Sequence, residues 1–94
     1  NQSVSIRYDI PLDSKIKLNV YNINGEHIHT LLNGRKHAGT HTISWNGADK
    51  SGIDVASGTY IILLQANNFI NNQGETTNNT WNDYKETRKV ILVK

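Results

Sequence analysis

The sequence predicts an all-β domain, an antiparallel β-sandwich of about seven short strands. Three observations carry that reading. Apolar and polar residues alternate with a period of two in several stretches, such as Val4/Ile6/Tyr8/Ile10 and Ile16/Leu18/Val20. Turn-forming residues recur roughly every 8–12 positions between those stretches. No stretch sustains the spacing of an amphipathic helix. The organising segment is residues 56–66, launched by Gly58 and rich in β-branched and aromatic residues. Tyr60, Ile62, Leu64 and Ala66 fall on one of its faces and Ile61 and Leu63 on the other. A strand apolar on both sides is expected in the middle of a sheet.

Residues 3–10 read as a half-buried strand that Pro11 ends, because proline has no N–H for a ladder. Residues 15–23 alternate again, with Ile16, Leu18 and Val20 inward. Asn24-Gly25 then predicts a type I′ hairpin turn. Residues 26–32 return antiparallel, Asn33-Gly34 closes that strand, and residues 35–40 form a polar connection. Residues 41–46 are a short strand with Ile43 and Trp45 on one face. Residues 46–54, with Gly47, Asp49, Ser51 and Gly52, are a turn region leading into the central strand. Residues 67–86 break the rhythm, being rich in Asn and Thr yet carrying Phe69, Trp81 and Tyr84. This insertion either folds over the Ile61/Leu63 face or extends its flanking strands as a long hairpin. Residues 88–94 alternate as a last strand, with Val90 and Leu92 on one face.

The totals set limits. Ninety-four residues make one domain, and a chain of that size buries roughly 60–65% of its unfolded surface. No Cys is present, which excludes disulfides and thiolate metal sites. Ten Lys and Arg stand against eight Asp and Glu, a net charge of +2, so nucleic acid is not an expected partner. No apolar run approaches the roughly 20 residues of a membrane-spanning helix, so membrane insertion is not expected. Because the chain opens on Asn1 and not Met, it is expected to be a piece of a longer protein.

Candidate chemistry is thin. His27 and His29 stand two apart on an expected strand and so share a face, with His37 and His41 nearby in sequence. Zinc takes three or four converging ligands, and no carboxylate or Cys pattern accompanies the pair. The reading is a solvated strand face, with no metal and no cofactor. Asp49, Ser51 and Asp54 lack the alternating carboxylates and late Glu of a calcium loop, and Asx-type turns account for them. Phe69, Trp81 and Tyr84 among amide side chains are candidate glycan contacts, or a satellite cover for the Ile61/Leu63 face. No nucleophile–base pair or phosphate loop is present. Ser57-Gly58 lacks the strand-to-helix context of a nucleophile elbow. The chain reads as a non-enzyme.

Four stretches resemble, in order, a known family. They are Ile10-Pro11-Leu12 through Val20-Tyr21-Asn22 to Gly25-Glu26; Leu31-Leu32-Asn33-Gly34 followed by Ala38-Gly39-Thr40-His41-Thr42-Ile43-Ser44-Trp45-Asn46-Gly47; Val55-Ala56-Ser57-Gly58-Thr59-Tyr60; and Arg88-Lys89-Val90-Ile91-Leu92-Val93-Lys94. The resemblance is to the immunoglobulin-like domain of FlgD type, which overlaps the type IX secretion C-terminal (type A) sorting domain of Gram-negative bacteria. It implies a single Ig-like sandwich over residues 1–94 with an insertion at about 67–86. It further implies a non-catalytic C-terminal domain of a larger secreted protein, acting as a sorting and anchoring signal for export to the cell surface. The implied partners are the secretion and sorting machinery or adjacent domains of the parent protein. By position, Gly58 and Tyr60, with Trp45 in the core, are the structural motif. Lys89, Val90, Ile91, Leu92, Val93 and Lys94 are the segment for partner recognition by strand addition. The alternatives are an Ig-like spacer in a multidomain surface protein or enzyme, and a carbohydrate-binding accessory module.

Overall fold

Strands form where the sequence alternates and stop where a residue cannot continue a ladder. β1 (Val4–Ile10) buries Ile6, Tyr8 and Ile10, exposes Ser5, Arg7 and Asp9, and ends at Pro11. β2 (Ser14–Asn22), β3 (His27–Lys36), β4 (Gly39–Trp45), β5 (Gly58–Asn68) and β6 (Asp83–Leu92) follow. The computed structural model describes residues 3–68 and 83–94. Among these residues six strands form where about seven were expected. Residues 46–57 contribute no strand, only the isolated bridge Ala48↔Asp54, because turn hydrogen bonds use their backbone.

The strands make an Ig-like antiparallel sandwich. One sheet is β1-β4 and the other is β3-β2-β5-β6. β5 is a central strand, paired along its length with β2 and β6. The core lies between the sheets: Ile6, Tyr8 and Ile10 from β1, Ile16, Leu18 and Val20 from β2, Trp45 from β4, Tyr60, Ile62, Leu64 and Ala66 from β5, and Leu92 from β6.

Several local expectations are corrected. Asn33-Gly34 does not close β3. Asn33 pairs with Lys17 and Gly34 with Ile16, and β3 runs on to Lys36. An edge strand tolerates a glycine that its neighbour's ladder holds in place, so only His37 and Ala38 separate β3 from β4. The β2–β3 turn is centred one residue earlier than Asn24-Gly25. Gly25 N–H donates to the Asn22 carbonyl at 3.0 Å, and Asn22 N–H to the Glu26 carbonyl at 3.0 Å. The Asn22 side-chain oxygen also accepts the N–H groups of Asn24 and Glu26, at 2.9 Å each. That Asx cap selects a three-residue loop, in which Gly25 follows the turn at φ 85°.

β3 is also irregular in a way that period-two reading misses. Leu18 pairs with Leu32 but Asn19 with Thr30, and Val20 pairs with His29 but Tyr21 with His27. Leu31 and Ile28 are therefore extra residues in two β-bulges. Directly paired residues share a face of the sheet. His29 follows Val20 to the inner side while His27 follows Tyr21 to the outer side, so the two histidines do not share a face.

The last strand begins earlier than residue 88. β5 and β6 pair from Gly58↔Leu92 to Asn67↔Asp83. The two ends of the 67–86 segment thus extend the flanking strands as a hairpin, one of the two expected arrangements; residues 69–82 lie outside the described residues.

Burial separates isoleucines of equal size. Ile16 is fully buried whereas Ile23, in the β2–β3 loop, is 72% exposed. Ile16→Ala is expected to cost about 2–5 kcal/mol in urea unfolding, and Ile23→Ala to stay within about 0.5 kcal/mol of the parent chain.

Candidate functional site

The motif residues converge at one end of the sandwich, where the loop after β4 and the start of β5 meet the end of β6. Trp45 ends β4 with its ring fully buried, and its indole N–H donates to the Ala48 carbonyl at 2.9 Å. The Tyr60 ring meets Trp45 edge-on, centroids 5.1 Å apart and planes at 69°. The Tyr60 hydroxyl donates to the Ala56 carbonyl at 2.6 Å. This ties the turn at residues 56–58 to the strand it launches, in the manner of a tyrosine corner.

Two glycines make the corner possible for different reasons. Gly58 has φ 155° with open space where a Cβ would sit, so its backbone conformation reserves the position. Gly47 has φ 79°, and a Cβ there would also lie 3.3 Å from the Leu92 side chain. The close approach seats Leu92, which is 1% exposed. The chain end is pinned to the same loop. Lys94 N–H donates to the Ser57 hydroxyl oxygen at 3.0 Å, and Lys94 Nζ lies 3.8 Å from Asp54 Oδ2.

The loop between β4 and β5 closes on itself. Asp49 Oδ1 accepts the N–H groups of Ser51 at 2.8 Å and Ile53 at 3.0 Å. Those bonds, Ile53's first, hold the Asp49 carboxyl below its ordinary range. Asp13 is lowered in the same way, chiefly by the Ala38 N–H and then by His37.

Six positions were expected to form a recognition segment, and the structure divides them. Lys89 and Ile91 lie on the outer side of β6 and Val90 and Leu92 on the inner side. Val93 is 63% exposed, and Lys94 is held by Ser57 and Asp54. Of the candidate glycan contacts, Tyr84 is 42% exposed with its hydroxyl on Glu86 Oε1 at 3.2 Å. Phe69 and Trp81 lie outside the described residues.

The histidines are dispersed. His27 Nε2 lies 3.2 Å from Asn19 Oδ1 and 3.1 Å from Thr30 Oγ1. His37 faces Asp13 at 3.6 Å, and His41 donates to the His37 carbonyl at 2.8 Å while stacking on Tyr8. Among the described residues no three His, Cys, Asp or Glu side chains converge as metal ligands. Sequence reasoning missed Arg88, whose guanidinium spans the layers to donate to the Arg7 carbonyl on β1 and pairs with Glu86 at 3.0 Å. The alternation Val90/Leu92 carries back to place Arg88 on the inner side. Its partner is 81 positions away and has no signature in sequence.

The fold and this corner define an Ig-like β-sandwich domain. Residues 1–68 match the FlgD Ig-like domain family, and the chain belongs to that family. No curated protein matches the chain. Among solved structures it is similar to the crystal structure of FlgD from P. aeruginosa, with 23% identity and a TM-score of 0.69. That likeness, which is one of fold, covers 97% of this chain, and the chain spans 61% of the FlgD structure.

Tyr60→Phe deletes one hydrogen bond and is expected to cost about 0.5–1.5 kcal/mol. Trp45→Ala empties the core beneath it and should cost about 3–5 kcal/mol; urea denaturation read by circular dichroism measures both. Asp49 adds a pH signature. Its lowered pKa means that its contribution is complete above the ordinary aspartate value of about 3.9 and is lost as pH falls through the lowered value. The melting temperature of Asp49→Ala should therefore lie below that of the parent chain at pH 7. The gap should close progressively as the pH is taken below about 4.

Proposed function

We propose that this domain is a folded structural module of a larger secreted protein of a Gram-negative bacterium, held at the cell surface beside adjacent domains of that protein. The observation that carries this reading is how the motif residues are used. Trp45, Gly47, Gly58, Tyr60 and Leu92 all serve to close one end of the sandwich. A domain whose most distinctive residues are internal contributes a rigid shape and a place in the chain.

A second reading is favoured by the position of β6. It is an edge strand of its sheet, paired on one side with β5 and with no strand on the other among the described residues. Such an edge offers N–H and C=O groups to an added strand, as a sorting and anchoring signal read by secretion machinery requires.

One fusion experiment separates the readings. Residues 1–94 are placed behind a reporter in a host with type IX secretion, alongside an Ile91→Lys/Val93→Lys variant, whose changes fall at positions 62% and 63% exposed. The structural reading expects both fusions to remain inside the cell while the isolated chain unfolds in one cooperative urea transition. Export by the parent fusion, lost in the variant at unchanged stability, establishes the sorting reading instead.

A further inference from the structure

We infer that the outer face of the β3-β2-β5-β6 sheet is a docking surface for a protein partner that presents carboxylates around an apolar patch. Strand register builds this face row by row. One row is His27, Tyr21, Ile61 and Lys89; the next is Thr30, Asn19, Leu63 and Thr87; the next is Asn33, Lys17, Gln65 and Lys85. Lys15 follows, between Arg35 and Asn67. Tyr21, Ile61 and Leu63 are half-buried and form a continuous centre, whereas Lys15, Lys17, Lys85 and Lys89 are exposed around it.

The charge on this face is mostly positive. None of those four lysines is in an ion pair among the described residues, whose pairs include His37–Asp13, Arg88–Glu86 and Lys94–Asp54. Apart from position 83, the acidic residues that are described lie elsewhere. Asp9 is on β1, Asp13, Glu26, Asp49 and Asp54 are in loops, and Glu86 is opposite Leu64 on the inner side. Asp83, opposite Asn67, is by register the one acidic position on this face among the described residues, in the last row with Arg35 and Lys15.

A chain with a net charge of +2 thus places four lysines around the apolar centre of one sheet face. An apolar centre with a charged rim is the anatomy of a protein–protein interface. The face lacks the row of aromatics on which single-stranded nucleic acid stacks. Like charge disfavours a second copy of the same face. Carboxylates on the partner complete the rim, and burial of Ile61 and Leu63 supplies the contact energy.

The test is amide chemical-shift mapping of the ¹⁵N-labelled chain. The probe is a synthetic peptide alternating Glu and Leu, compared with polyglutamate, oligo-dT and anionic phosphatidylglycerol vesicles. The Glu-Leu peptide is expected to shift residues of β2, β5 and β6 on the outer face and to bind about tenfold more tightly than polyglutamate. Binding should weaken with added salt. A Lys17→Glu/Lys85→Glu chain, both changes at exposed positions, should keep its melting temperature and lose the binding. The inference is overturned by absence of peptide binding, by shifts mapping to another surface, or by binding that survives the charge reversal. It is equally overturned if polyglutamate, oligo-dT or the vesicles bind as tightly as the peptide.

Discussion

The contact between Trp45 and Tyr60 is the constraint on which the rest of the structure depends. Trp45 belongs to the two-stranded sheet and Tyr60 to the four-stranded one, so their edge-on contact joins the layers. Each ring is fixed at its polar end by a backbone carbonyl, Ala48 for the indole and Ala56 for the phenol. A small domain has few places to bury large aromatic area, and a ring held at both its face and its polar atom contributes packing and orientation together. The carbonyls that accept these bonds sit in the connection between β4 and β5. That connection is therefore shaped by the core it covers. The positive φ of Gly47 and the bond from Val55 N–H to the Gly47 carbonyl follow from the same requirement.

The two layers are unequal, and the inequality organises the surface. Two strands face four, so one margin of the inner side of β6 is closed by side chains. Arg88 reaches the Arg7 carbonyl and holds Glu86 beside it, which places a charged pair over the border of the apolar interior. Long side chains suit this position because their stems cover apolar surface while their charged ends remain near water. The opposite face of the same sheet carries lysines around a half-buried apolar centre. β5 can be apolar on both sides because its inner residues meet the second sheet and its outer residues are flanked by the side chains of β2 and β6.

Much of this was legible from residues alone. Period-two alternation marked Ile6, Tyr8 and Ile10, then Ile16, Leu18 and Val20, as inward-facing, because backbone geometry alone sends successive side chains to opposite faces. Pro11 marked a strand end through its missing N–H. What failed were positions where a neighbouring group overrode a local signal. The Asn22 side chain moved the β2–β3 turn by capping two backbone N–H groups. Pairing with β2 carried β3 through Asn33-Gly34. One extra residue in β3, Ile28, puts His27 and His29 on opposite faces, although their spacing alone places them together.

The sequence by itself determined that this chain is a small all-β domain with β5 at its centre and Trp45 and Tyr60 inside. Those properties follow from polarity and backbone geometry, which act over a few residues. Only the tertiary structure decided which strands became neighbours, where β3 bulged, that Leu92 seats under Gly47, and which lysines share a face. Those outcomes depend on contacts between residues distant in the chain. Their free energies arise only when strands from different parts of the sequence are brought into register, and no local pattern records them.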